Sequence, residues 1–162
     1  MNAIKLLTQD HRAVEELFGK FENARGAATK QKLVHRICAE LKIHTSIEEE
    51  IFYPALKGKV DDALLEEAIV EHDGAKILVN DLEAAAPDED YYDAKVKVLS
   101  EEIEHHVKEE EKERDSMFAR ARKTDVDLDA LGERMAARKA ELVAENEASG
   151  LPDAALTAID ER

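Results

Sequence analysis

The chain is poor in the residues that build most other kinds of protein. Among 162 residues there are one cysteine, no tryptophan, three prolines and six glycines, and aromatic residues make up only 4 %. A lone cysteine, Cys38, excludes an intrachain disulfide and any Cys-x-x-Cys metal or redox pair, and it points to a reducing, cytoplasmic setting. Few aromatic residues beside 38 % charged residues disfavour a sheet and favour long solvated helices. Positive charge is also short: 23 Lys and Arg against 38 Asp and Glu leave a net charge of −15. Such a field repels a phosphate backbone or an anionic lipid surface, so neither nucleic acid nor membrane is an expected partner. No run of about 18 apolar residues occurs, so no membrane-spanning helix is expected. The opening MNAIKLLTQDHRAVEE turns charged too soon for a signal-peptide core. A chain of this length forms a single domain with a substantial buried core.

What is present is helical period almost throughout. Ile4, Leu7, Val14, Phe18 and Phe21 trace one apolar stripe; Val34, Ile37, Leu41, Ile51 and Leu56 a second. Leu65, Ile69, Val79 and Leu82 form a third, and Val96, Leu99, Ile103, Met117 and Phe118 a fourth. Gly or Pro marks the breaks near residues 26–28, 58–60 and 87–90. The predicted fold is therefore all-α: an antiparallel up-down-up-down four-helix bundle over residues 1–122. Leu128, Leu131, Met135 and Leu142 predict a fifth amphipathic helix within a C-terminal extension, 123–162. Its tail, LPDAALTAIDER, is expected to add a turn or two or to stay disordered. Pro54 should kink or end the second helix, and Gly74 costs about 1 kcal/mol relative to Ala in mid-helix.

Each predicted helix carries one histidine on its apolar stripe: His11, His44, His72 and His106. In antiparallel helices two residues are level when the turn lies halfway between them. The midpoint of His11 and His44 falls beside Gly26, that of His44 and His72 on Gly58, and that of His72 and His106 inside Pro87–Asp90. At 1.5 Å per residue each histidine lies about 21–26 Å from its turns, so all four converge on one layer. Glu48 follows His44 by four residues and Glu110 follows His106 by four, one turn along the same face. The second and fourth helices run in the same direction, so both glutamates are displaced to one side of the layer, where they could bridge two metals. Buried carboxylates need a cation or protons. The chain also repeats itself: Asp10-His11 then His44-x-x-x-Glu48, and Glu71-His72 then His106-x-x-x-Glu110.

His35, nine residues before His44, belongs on the opposite, solvated face. His105 has its own glutamate four residues on, Glu109, but its face holds Val98 and Glu102 and is less apolar than that of His106. Glu109, Glu111 and Glu113 interleave with lysines and read as a solvated face, Cys38 as an inert packed or exposed thiol, and Tyr91 and Tyr92 as helix-end packing. Imidazole with carboxylate suits iron, zinc or manganese. Six convergent ligands exceed a four-ligand structural zinc site, and a ferritin-like pair of Glu-x-x-His motifs is not met, since only Glu102-x-x-His105 fits.

The ordered set His11, His44-x-x-x-Glu48, His72, His106-x-x-x-Glu110 resembles the hemerythrin-like family, specifically the bacterial HHE cation-binding domains, over residues 1–122. The resemblance implies a four-helix bundle holding two non-haem iron ions with an oxo or hydroxo bridge. It also implies that His11 and His44 ligate one iron, His72 and His106 the other, and that Glu48 and Glu110 bridge. Oxygen-carrying relatives place a second histidine four residues after the third-helix one, where this chain has Lys76. They also end in His-x-x-x-x-Asp, where this chain offers Glu110 or Glu111. The Phe52-Tyr53-Pro54 that follows the second-helix ligands has no counterpart in Met117-Phe118-Ala119. The lysine should swing outward and leave a position for water, Glu111 or an exogenous ligand.

These departures turn the expectation from an oxygen carrier to a protein that meets O₂, peroxide or nitric oxide in sensing, iron handling or stress protection. A cation store, buffer or metal-controlled interaction protein is the second reading, and a purely structural acidic bundle the third. A small oxidant is the expected partner; no protein partner is legible.

Overall fold

Helix starts lie where short polar side chains can cap them. The Asn2 side chain accepts from Lys5 N at 2.8 Å and opens α1 (Ala3–Asn23). Gly26, at φ +85°, makes the turn into α2 (Ala27–Ile47). Winding then loosens into a π-helical stretch, Glu48–Phe52, before a short α3 (Tyr53–Leu56). Asp61 caps α4 (Asp62–Ala84), and α5 (Tyr92–Val107) follows Tyr91, which sits in the left-handed region at φ 69°. A second π-helical stretch, Lys108–Lys112, leads to α6 (Met117–Arg122) and, after the Asp127 cap, to α7 (Leu128–Ser149). The computed structural model describes residues 1–160, all of them helix, turn or irregular, with no strand.

Helices α1, α2, α4 and α5 pack around a square in the predicted up-down-up-down order, α1 on α2, α2 on α4, α4 on α5 and α5 on α1. The core is split in two by a polar layer. One apolar cluster holds Leu7, Ile47, Phe52, Leu56 and Phe118; the other holds Val14, Leu41, Val79, Leu99 and Ile103. Helix α7 lies across α1 and α2 and buries Leu131, Met135 and Leu142 in the first cluster. Its Gly132 meets the chain start so closely that a Cβ there would come within 2.7 Å of Ala3 N. Gly74 has no such role, since a Cβ there would meet only Glu102 Oε2 at 3.9 Å. Among the described residues no helix is long and apolar enough to cross a membrane.

Three expectations need correcting. The fourth helix does not run through to Phe118: Glu113 turns extended (φ −75°, ψ 153°), and Ser116 starts a new helix by accepting from Ala119 N at 3.2 Å. Among its described residues the tail adds no turns of helix. It runs as an irregular strap that hydrogen-bonds to α4, with Ala154 N donating to Asn80 Oδ1 at 2.8 Å and Thr157 N to Asp73 Oδ1 at 2.9 Å. Tyr92 packs as expected, but Tyr91 is 77 % exposed.

Candidate metal centre

The six residues singled out in the sequence meet between the two apolar clusters. His11, His44, Glu48, His72, His106 and Glu110 are all buried, none more than 7 % exposed. They form two groups whose ligand atoms lie within 4.8 Å of one another: His11, His44 and Glu110, and Glu48, His72 and His106. Glu48 Oε1 is 3.0 Å from His44 Nε2 and 3.1 Å from His72 Nε2. Glu110 Oε1 is 3.2 Å from both His11 Nε2 and His106 Nε2. Each carboxylate thus reaches one histidine from either helical hairpin, as a bridge must.

Each outward ring nitrogen faces a carboxylate. His44 Nδ1 faces Asp10 Oδ2 at 3.0 Å, His72 Nδ1 faces Glu49 Oε2 at 2.8 Å, and His106 Nδ1 faces Glu71 Oε1 at 2.9 Å. His11 Nδ1 faces Glu111 Oε2 at 3.3 Å. A carboxylate accepts, so each Nδ1–H donates outward, and a ring in its neutral form then presents its Nε2 lone pair to the interior. Carboxylates behind the ring orient metal-ligating histidines in this way and raise their basicity.

Whether these residues suit a metal is decided by what they leave unpaired. His11 Nε2, His44 Nε2, Glu48 Oε2 and Glu110 Oε1 are buried without a hydrogen-bond partner. His11 Nε2 and Glu110 Oε1 are within 3.2 Å yet not aligned as donor and acceptor. Lone pairs left so close together without protons between them cost several kcal/mol. A cation bound between them removes that cost, so the donor set fits one.

The charge balance agrees. Burial by itself would lower the His44 pKa, but the Glu48 carboxylate and the bond to Asp10 override it and push the imidazole up to about 10. His106 is likewise held well above the usual histidine range, burial being overcome by Glu110, Glu48 and Glu71. Glu48 is held well below the usual carboxylate range: burial opposes this, and the His44 charge prevails. In the metal-free protein, then, the layer recruits protons as its positive charge.

Several participants were not read from the sequence. Tyr53 Oη lies 3.2 Å from His72 Nε2 and 3.4 Å from His106 Nε2, and donates to Glu110 Oε2 at 2.8 Å. In a regular helix a residue nine positions after His44 points away from it, since nine steps of 100° end on the opposite face. The π-helical stretch, closed by Tyr53 N donating to Glu48 O, spends five residues on a turn and swings Tyr53 back by roughly 100°. Only the irregularity near Pro54 hinted at this. Phe118, read as ordinary core, stacks on His11 with ring centroids 5.9 Å apart and planes 4° from parallel.

Glu111 is not a solvated acid and does not fill the place beside Lys76. It is half-buried against His11, its side chain 11 % exposed, and paired with Arg12. Lys76 does turn away from the centre as expected, yet it stays 6 % exposed instead of reaching solvent, pairing with Glu49 at 2.9 Å and donating to Ala155 O at 2.9 Å. His105 is 63 % exposed in its side chain and pairs with Glu71 and Glu109, and His35 is exposed; both lie outside the centre. Cys38 is fully buried and its thiol is pushed up to about 12 by burial, consistent with an inert thiol.

Comparison with known proteins meets this geometry from outside. A crystal structure of a hemerythrin HHE cation-binding domain-containing protein from Mycobacterium kansasii is similar at 26 % identity, covering 93 % of this chain and 95 % of that one, with a TM-score of 0.76. A protein described as a DNA nickase from Nostoc sp. strain PCC 7120 is 25 % identical over 111 residues. That stretch is 68 % of this chain, which spans about a third (32 %) of the longer relative. The family model of the hemerythrin HHE cation-binding domain matches residues 2–121. With its paired His/Glu groups and its all-helical fold, the chain belongs to the hemerythrin HHE cation-binding domain family.

Proposed function

We propose that the buried layer holds two non-haem iron ions and that the loaded protein binds or reacts with a small neutral oxidant such as O₂, peroxide or nitric oxide, in sensing, iron handling or stress protection. The observation that carries this reading is the set of converging donor atoms: four inward Nε2 atoms, with two carboxylates that each span both hairpins. His11 and His44 would hold one ion, His72 and His106 the other, and Glu48 and Glu110 would bridge. Bound iron would supply one-electron chemistry and an open coordination position. The rest is the work of this chain's own side chains. Asp10, Glu49, Glu71 and Glu111 fix the rings, and the apolar clusters exclude bulk water. Tyr53 would offer its phenol oxygen as a further ligand, or a proton, on the His72–His106 side alone. A cavity of about 20 Å³ abuts all four histidines, room for one water-sized molecule.

Nicking of DNA is not carried over from the Nostoc relative, because a net charge of −15 opposes association with a phosphate backbone. A free, buried cysteine fits a reducing compartment, and we place the protein in the cytoplasm. The deciding experiment is metal analysis of freshly purified protein with absorption spectra before and after exposure to air and peroxide. About two irons per chain with near-ultraviolet and visible bands that respond to the oxidant are expected. Metal bound without any spectral response would favour a cation store or buffer, and zinc or manganese would replace iron in the assignment.

A further inference from the structure

We propose that small neutral molecules reach the centre from beneath the C-terminal strap, along a line of cavities that passes Thr45. The cavity of about 20 Å³ at the histidine layer shares the walls Leu41, Thr45 and Ile103 with a second void of about 10 Å³. That void in turn shares Lys42, Thr45, Lys76 and Ala154 with a groove of about 480 Å³, which lies between α2, α7 and the strap. Thr45 alone lines all three, so it borders the route along its whole length.

The far side of the layer is packed with aromatic rings. Phe52, Tyr53 and Phe118 are buried there to 3 % exposure or less, and Phe118 stacks on His11. The two inner voids are each about the size of a single water molecule. Leu41, Val79 and Ile103 stand in their walls beside Lys42, Lys76 and Thr45, and voids this small leave no room for a hydration shell, so an ion would have to shed its water on the way. The class admitted is neutral and diatomic, or peroxide-sized.

The roof of the route is its one irregular wall. Residues 151–160 form no helix, and their hold on α4 is polar: Asn80 Nδ2 donates to Ala154 O at 3.0 Å, Lys76 Nζ to Ala155 O at 2.9 Å, and Ile159 N to Asp73 Oδ2 at 2.7 Å. Such bonds contribute about 1 kcal/mol each, and eight of them join residues 154–159 to Glu49, Asp73, Lys76 and Asn80, so a substitution that removes one or two loosens the strap without unfolding the bundle.

The identity of the admitted molecule rests on the oxidant reading, but the route can be tested without any metal. The chain has no tryptophan and three tyrosines, so in a Tyr91→Phe/Tyr92→Phe background Tyr53 is the single fluorophore of its kind and reports from inside the centre. Quenching of its emission by dissolved O₂ is measured on metal-stripped protein, with iodide as the charged control. Thr45→Leu should lower the O₂ quenching constant at least fivefold, and Asn80→Ala, which releases Ala154, should raise it severalfold. Iodide should leave Tyr53 unquenched in every variant. Quenching that ignores both substitutions, or efficient quenching by iodide, would overturn the route; if Thr45→Leu does not fold, Asn80→Ala decides. The oxidant reading fails separately, in the spectra of the loaded protein.

Discussion

The two helical hairpins of this bundle are near-copies that end differently. In each, the acid before the first histidine reaches across to the second: Asp10 to His44, and Glu71 to His106. In each, the acid after the bridging glutamate reaches the first histidine of the other hairpin: Glu49 to His72, and Glu111 to His11. The pseudo-twofold holds for the four histidines, the two glutamates between them and the carboxylates behind them. It breaks one turn later. The first hairpin stays helical through its π-stretch and delivers the Tyr53 hydroxyl to His72 and His106, while the second breaks at Glu113 and presents Phe118 to His11. The comparison teaches that duplication of the donor set produces two alike positions, and that backbone winding just after it makes them unlike.

The largest expected effect comes from removing the shared pattern. His44→Ala/His106→Ala takes one donor from each position, and metal analysis should find the bound metal reduced from about two per chain to near none. His35→Ala, on the exposed face, should leave the content unchanged. Full occupancy in the double variant would end the assignment of both positions.

Exchanging the unlike groups sharpens the comparison. Tyr53→Phe leaves Glu110 Oε2 without its donor and should destabilise the metal-free protein by about 1–3 kcal/mol in denaturant titration. With metal bound, competition with a chelator should release one ion well before the other. Phe118→Tyr should not reproduce the early release. Equal release from the Tyr53→Phe protein would mean that the phenol serves neither position selectively.

Acidity separates metal from proton as the positive charge of the layer. In the metal-stripped protein His44, raised from an ordinary 6.5 to about 10, contributes stability that is complete below 6.5 and lost as pH climbs toward 10. His106, raised for the same reason, adds to that trend. Glu48 and Asp10, held low despite their burial, contribute above the ordinary carboxylate range and lose their contribution in stronger acid. Metal needs these histidines deprotonated, so the loaded protein should gain from rising pH where the stripped one declines. Melting temperatures of the two forms should therefore diverge from pH 6.5 to 9; parallel curves would show that metal does not replace those protons.

The smallest effect distinguishes the bundle from its extension. Lys139 of α7 donates to Asp10, which orients His44, but α7 supplies no donor to the centre. Lys139→Ala should speed metal release to a chelator by a few-fold, less than the 10–100-fold typical when a group directly behind a ligand is lost. An unchanged release rate would make the fifth helix a purely structural addition.

The convergence of His11, His44, His72 and His106 was legible because antiparallel helices joined by short turns turn sequence distance into height, and Gly26, Gly58 and Pro87 mark the turns. Glu48 and Glu110 followed from a four-residue step on the same face. Tyr53 was not legible, because a step of nine residues predicts the opposite face unless a π-turn intervenes, and no residue type announces one. Glu111 was misread for a related reason: its neighbours Lys108 and Lys112 mark a solvated face in a regular helix, but here the loosened turn and the arrival of α1 half-bury it against His11. Lys76 was correctly turned from the centre, yet its partners come from the strap and from Glu49, which a helical wheel cannot supply.

The sequence by itself determined the four bundle helices up to the π-helical stretches, their turns, the level of the histidine layer and the convergence of six His and Glu side chains on it, because each depends on local period and on the fixed rise of a helix. Tertiary structure alone decided which carboxylate stands behind which histidine, that a phenol faces one position and a phenyl ring the other, and that an unwound tail roofs the groove. Those features depend on contacts between segments up to about 130 residues apart, such as Lys139 with Asp10, and on departures from regular winding. Neither leaves a periodic trace, because the energy that fixes them comes from partners brought together only when the chain has folded.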